Sequence, residues 1–291
     1  MRATERLRAR LGPLRERLGP LLRPLPAAEL FAFGNLGFLA VDVYLAHSYN
    51  AFAHPAEWVP VLFSALSPIW LIAVWLLARR GLARESRVPG IALGAASIVV
   101  GVAGMVLHLE SAFFVERTLK SLVYAAPFVG PLAYAGVGLL IVLNRLVDED
   151  DPSWGRWVVM LALGGFVGNF VLALVDHAQS GFFDWREWIA VISAGFGVSF
   201  LTLVVLRPED ALLRRITFWL MLVQMVVGVA GFFLHLLADV RGPMGTLWEN
   251  VIYGAPPFAP LLFPDMAILA LIGLWSLGRT IPRERPAPKA A

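Results

Sequence analysis

Val100–Leu109 reads VGVAGMVLHL, and Val227–Leu236 reads VGVAGFFLHL. In a chain this apolar, the echo says that one membrane unit has been used twice, each copy ending on a histidine at the same depth. The repetition extends outward. LVYAAPFVGPL at Leu122–Leu132 parallels VIYGAPPFAPL at Val251–Leu261, aligning Tyr124 with Tyr253 and Pro131 with Pro260. GNLGFLAVD at Gly34–Asp42 parallels GNFVLALVD at Gly168–Asp176, and Glu57-Trp58 parallels Glu187-Trp188. The order of these segments is the same in both halves.

Composition sets the class. Hydrophobic residues make up 58% of the 291 and charged residues only 15%, where a soluble domain carries about a quarter. Crossing the hydrocarbon core takes roughly 20 apolar residues. Eight such runs appear, at about 28–48, 58–78, 89–109, 120–144, 157–178, 187–206, 215–238 and 249–277. They do not alternate as the strands of a membrane barrel do. The expected fold is therefore an all-α polytopic membrane protein: eight transmembrane helices as two tandem parallel four-helix repeats, with a pseudo-twofold axis along the membrane normal. Residues 27–147 and 157–278 form the repeats, joined by an acidic linker at 148–156. A basic segment, 1–26, precedes them and a basic tail, 279–291, follows.

Charge bias orients the chain. Of 24 lysines and arginines, all but Arg117, Lys120, Arg186 and Arg241 fall in the N-terminal segment, the even-numbered connections or the tail. Cationic segments resist translocation, so both termini are expected in the cytoplasm of an inner-membrane protein, as an even helix count requires. In the N-terminal segment Leu7, Leu11, Leu14 and Leu18 share a face opposite arginines, a pattern for a helix on anionic lipid. The lipid bilayer is the expected partner, with other membrane subunits as candidates; nucleic acid is not expected.

In this orientation every histidine lies toward the outer face. The chain has no cysteine, so thiolate metal sites and disulfides are excluded. Intramembrane ionisable groups cost about 3 kcal/mol and normally face protein or water. Asp42 and Asp176 sit near the outer ends of helices one and five, and His108 and His235 end helices three and seven. If those four helices meet at the axis, the two carboxylates and two imidazoles make a donor set for zinc, iron or copper. His108 and His235 alone would instead ligate haem axially, with the stripe Gly94, Ser97, Gly101, Gly104 leading to His108 leaving room for the porphyrin. The plainer reading of such a stripe is close helix packing, and of a lone histidine, an interfacial residue.

Further candidates surround this set. Asn35 and Asn169 share faces with the aspartates. His47 and His177, five residues and one residue past their aspartates, do not align; they read first as plain interfacial residues, with a supporting role beside the site as the alternative. Tyr124 and Tyr253 read first as interfacial anchors, and Glu249 stands where the first half has Lys120. No phosphate-binding loop, dinucleotide fingerprint or HExxH motif occurs. The leading expectation is a metal- or haem-binding membrane protein with a redox role, or a subunit of a redox complex. A secondary transporter or proton-coupled channel using the same residues is the alternative, and a scaffold subunit without chemistry the third.

Overall fold

Proline and capping residues set where the helices begin. In the computed structural model, which describes residues 22–281, helix α1 (Pro24–Ser48) starts on Pro24, whose missing N–H costs nothing in a first turn. After a 3₁₀ turn at Pro55–Glu57 come α2 (Trp58–Arg79) and α3 (Ala83–Glu110). Short helices α4 (Phe113–Glu116) and α5 (Leu119–Val123) lead to α6 (Leu132–Leu146). The second half holds α7 (Pro152–Ser180), α8 (Glu187–Leu206) and α9 (Ala211–Val240). It closes with the short α10 (Leu247–Tyr253) and α11 (Leu262–Thr280). Asp151 caps α7 by accepting the Ser153 N–H at 2.8 Å, which pulls its carboxyl below the usual range. Asp210 caps α9 in the same way through Leu213. The described residues contain no strand. The leucine-faced basic segment, up to residue 21, and the tail from residue 282 lie outside them.

Among the described residues, seven helical segments are long and apolar enough to cross a membrane. Large apolar side chains such as Leu66, Val99, Phe196, Trp219 and Phe233 point outward, as contact with lipid requires. The run 120–144, expected as one helix, is instead α5, an irregular stretch and the short α6. The run 249–277 breaks similarly between α10 and α11. The cause is the prolines at 127, 131, 256, 257 and 260, which lack an amide hydrogen and push the preceding residue out of helical geometry.

Helices α1, α2, α3 and α6 pack as a closed ring of neighbours, and α7, α8, α9 and α11 pack as another. The halves meet where α6 touches α7 and α1 touches α11. Helices α3 and α9 lie on the flanks, because their small-residue stripes are used up inside each half. A Cβ on Gly101 would sit 2.8 Å from the Pro131 carbonyl, and one on Gly228 would sit 2.6 Å from that of Pro260. The stripes therefore seat α6 and α11, the plainer of the two expectations, and leave no slot there for a flat macrocycle.

At the basic end of the junction, Glu29 on α1 takes both arms of Arg145 at 2.6 and 2.9 Å. Glu29 also accepts Asn144 Nδ2–H at 2.8 Å, and Trp154 on α7 donates to Asn144 Oδ1 at 3.1 Å. The linker is held too: Glu149 is buried and meets Arg23 at 2.7 Å.

Candidate functional site

The broken fourth and eighth runs leave carbonyls without helical partners, and in a membrane these must be met by protein groups. His108 Nδ1–H donates to the Pro127 carbonyl at 3.0 Å, and His235 Nδ1–H donates to that of Pro256 at 2.8 Å. A carbonyl can only accept, so Nδ1 carries the hydrogen of each bond. Imidazoles that bind metals are commonly prepared this way.

Each of these rings faces a second histidine. His47 lies edge-on to His108 with centroids 6.1 Å apart, and His177 lies edge-on to His235 at 6.5 Å. His47 Nδ1–H donates to the Val43 carbonyl at 3.1 Å. His177 Nδ1 is 3.7 Å from Glu187. Contrary to the expectation from sequence, His47 and His177 are equivalent. Both close their helix with their own carbonyl, accepting the N–H of Phe52 at 3.2 Å and of Phe182 at 3.1 Å. Both phenylalanines take positive φ and stack on a tryptophan, Phe52 on Trp58 at 4.2 Å and Phe182 on Trp188 at 4.1 Å. The misalignment arose from counting outward from the aspartates. About one extra helical turn separates Asp42 from His47, compared with Asp176 and His177. The aromatic pair, counted backward, is the signal that finds the equivalence.

Glu57 and Glu187, each one position before the stacked tryptophan, belong to the same ends of the two halves. Glu57 accepts Asn50 Nδ2–H at 2.8 Å through Oε1, while its buried Oε2 has no hydrogen-bond partner among the described residues. Glu187 accepts the Ser180 hydroxyl at 2.9 Å.

The remaining candidates are placed elsewhere. Asp42 and Asp176 are half-buried in α1 and α7, and no hydrogen bond or ion pair reaches them among the described residues. Asn35 donates to Asp265 at 2.8 Å, tying α1 to α11 across the junction, and Asn169 donates to the Leu262 carbonyl at 2.9 Å. Tyr124 and Tyr253 are exposed, and Tyr253 packs on Tyr49. Glu249 caps α10, accepting the Thr246 N–H at 3.0 Å, and its counterpart in the α5 cap is Ser121 rather than Lys120. The four residues Asp42, His108, Asp176 and His235 are not drawn into one cluster. Among the described residues no three His, Asp or Glu side chains already stand as a metal cage.

Two rings bound through Nε2 to one ion have centroids at most about 6.4 Å apart, given a metal–nitrogen bond of about 2.1 Å. The His47–His108 spacing of 6.1 Å falls inside that limit and the His177–His235 spacing of 6.5 Å just outside it. Bringing either pair to a tetrahedral angle needs about an ångström of closure. Comparison with known proteins finds no matching family model, no similar curated protein and no similar solved structure.

Proposed function

We propose that this integral membrane protein binds a zinc, copper or iron ion in each half at the outer face. His47, His108 and Glu57 are the donors in one half, and His177, His235 and Glu187 in the other. One observation carries the reading. In both halves the imidazole on the third helix spends Nδ1–H on a broken-helix carbonyl and lies edge-on to a second imidazole. Two imidazoles and a carboxylate suit these metals, and a fourth position is left for water or a partner's ligand. With copper or iron the sites carry electrons, as expected of a protein in a redox complex.

The same proposal includes the topology. The chain is a tandem repeat of four crossings about a pseudo-twofold axis, with α6 and its irregular lead-in making the fourth, so both termini face the cytoplasm of the inner membrane. Support comes from the duplicated histidine, phenylalanine–tryptophan and glycine–proline contacts and from the charge bias. Reporter fusions at the two ends test it: cytoplasmic signals at both are expected, and opposite signals would refute the even count.

Metal content and absorption of the detergent-purified protein test the site. Up to two ions per chain are expected, reduced by His108→Ala and by His235→Ala and unchanged by Asp42→Asn. A chain that binds none when offered zinc and copper would overturn the reading. The pairing of Asn35 with Asp265 across the α1–α11 contact favours a second reading, a proton-coupled transporter whose halves move at that junction. Flux in liposomes that survives Asp265→Asn would remove it.

A further inference from the structure

We infer that the outer end of α9 carries a binding site for a small ammonium group, centred on Asp239 and present in the second half only. Asp239 is 1% exposed. Its Oδ1 accepts the Ala255 N–H at 3.0 Å, meeting one of the amides released where the eighth run breaks. Its Oδ2 is buried and has no hydrogen-bond partner among the described residues. The first half does the same structural work without a charge: there the Ala126 N–H is accepted by the Ser111 hydroxyl at 3.2 Å. A neutral oxygen therefore suffices for the break, and the anionic Oδ2 is left for something else. Leaving a buried carboxylate oxygen unpaired is costly.

The surroundings are shaped for the carboxylate. A Cβ on Gly254 would come within 2.6 Å of Asp239 Oδ1. Counting along the repeat, the first half has Ala125 where Gly254 stands and Ala112 where Asp239 stands. The glycine and the aspartate are present together in one half and absent together from the other. Asp239 lines a cavity of about 160 Å³ at the outer end of the bundle, walled also by Gly242, Met244, Asn250, Tyr253 and Gly254. That is well above the ~30 Å³ liquid share of one water, so a short alkylamine fits with water.

The ligand class follows from charge and donor count. One carboxylate calls for one positive charge. Calcium and magnesium demand about six or more oxygens, which a single aspartate beside a thioether and an aromatic does not supply. An ammonium brings its own donors, and its carbon side suits Tyr253 and Met244. Two sources share this chemistry: the ethanolamine headgroup of an outer-leaflet lipid, and a free small amine.

The test uses the full chain in nanodiscs of phosphatidylglycerol alone or with added phosphatidylethanolamine, with free ethanolamine as the soluble probe. Binding is read by calorimetry and retained lipid by native mass spectrometry. Ethanolamine binding that is equal in both nanodiscs and at least tenfold weaker in Asp239→Asn identifies a free amine. Retained phosphatidylethanolamine that blocks ethanolamine, lost in Asp239→Asn, identifies the headgroup. Asp239→Asn keeps an acceptor for Ala255, and Asp239→Ser imitates the first half, so at least one variant is expected to keep the wild-type melting temperature. Ethanolamine binding and lipid retention that are the same in wild type and in the folded variant overturn the inference.

Discussion

The histidine-bearing ends of the two halves are built from the same parts and finished differently. Both present a histidine pair, a phenylalanine–tryptophan stack and a glutamate one position before the tryptophan. In the first half that glutamate has a buried oxygen without a hydrogen-bond partner among the described residues, whereas Glu187 is engaged by Ser180 and approaches His177. In the first half a serine satisfies the broken backbone; in the second an aspartate does so and has an oxygen to spare. Of the shared features, the His108 and His235 hydrogen bonds answer the backbone break. Features confined to one copy point to separate chemistry.

The largest test of this comparison lies at the opposite end. The part-buried Glu29–Arg145 pair belongs to the first half, and the positions matching it in the second half's sequence are Leu163 and Leu274. Arg145→Leu alone should destabilise the protein by up to about 3 kcal/mol, because it leaves the part-buried Glu29 without its cation. Adding Glu29→Leu, which copies the second half, should recover most of that loss. Equilibrium unfolding in mixed micelles measures both; a double variant no better than the single would show that the pair has no apolar substitute here.

Next in size is metal affinity. His108→Ala and His235→Ala should each weaken one site by about 100-fold or more, as loss of a ligand exceeds the 10–100-fold seen for supporting residues. Competition against a chelator resolves the two sites. Equal losses mean that Glu57 and Glu187 contribute alike despite their different partners.

A smaller effect distinguishes crowded from open glycines. Gly101→Ala and Gly228→Ala should each cost about 1–3 kcal/mol by overpacking against α6 and α11. Gly164→Ala meets nothing within 4 Å and should stabilise α7 by about 0.5–1 kcal/mol. Thermal midpoints check the sign of each.

The smallest effect lies in the loop before α8. Arg186 holds the Asp184 carboxyl at about 2 through hydrogen bonds from its side chain and backbone N–H. The contact is therefore complete above the ordinary carboxylate value of 3.8 and is lost only as pH falls through about 2. The first half has His54 and Ala56 at these positions. A carboxyl titration by NMR should place Asp184 near 2, and Asp184→Asn should lower the melting temperature at neutral pH only slightly, since the pair is exposed.

The helical segments themselves were readable because lipid imposes one requirement, a long apolar run, that composition reports directly. Spans read at 28–48, 58–78 and 187–206 fall within or on Pro24–Ser48, Trp58–Arg79 and Glu187–Leu206. The run 120–144 misled because an apolar stretch has the same hydropathy whether continuous or broken at Pro127 and Pro131. His47 and His177 escaped alignment because an added helical turn moves a residue along the axis while leaving the flanking pattern intact. Glu57 and Glu187 were visible as letters, but nothing local marks which way a glutamate faces.

By itself, then, the amino-acid order determined a helical membrane protein with the same segments, histidines included, written twice. Hydropathy and self-similarity are properties of the chain alone. Only the tertiary structure decided which histidines meet, that α3 and α9 lie on the flanks, and that Asp239 keeps an unpaired oxygen. Those outcomes depend on which helix fills each glycine stripe and which side chain reaches each orphaned carbonyl or amide. Such partners are far apart in sequence, and only packing brings them together.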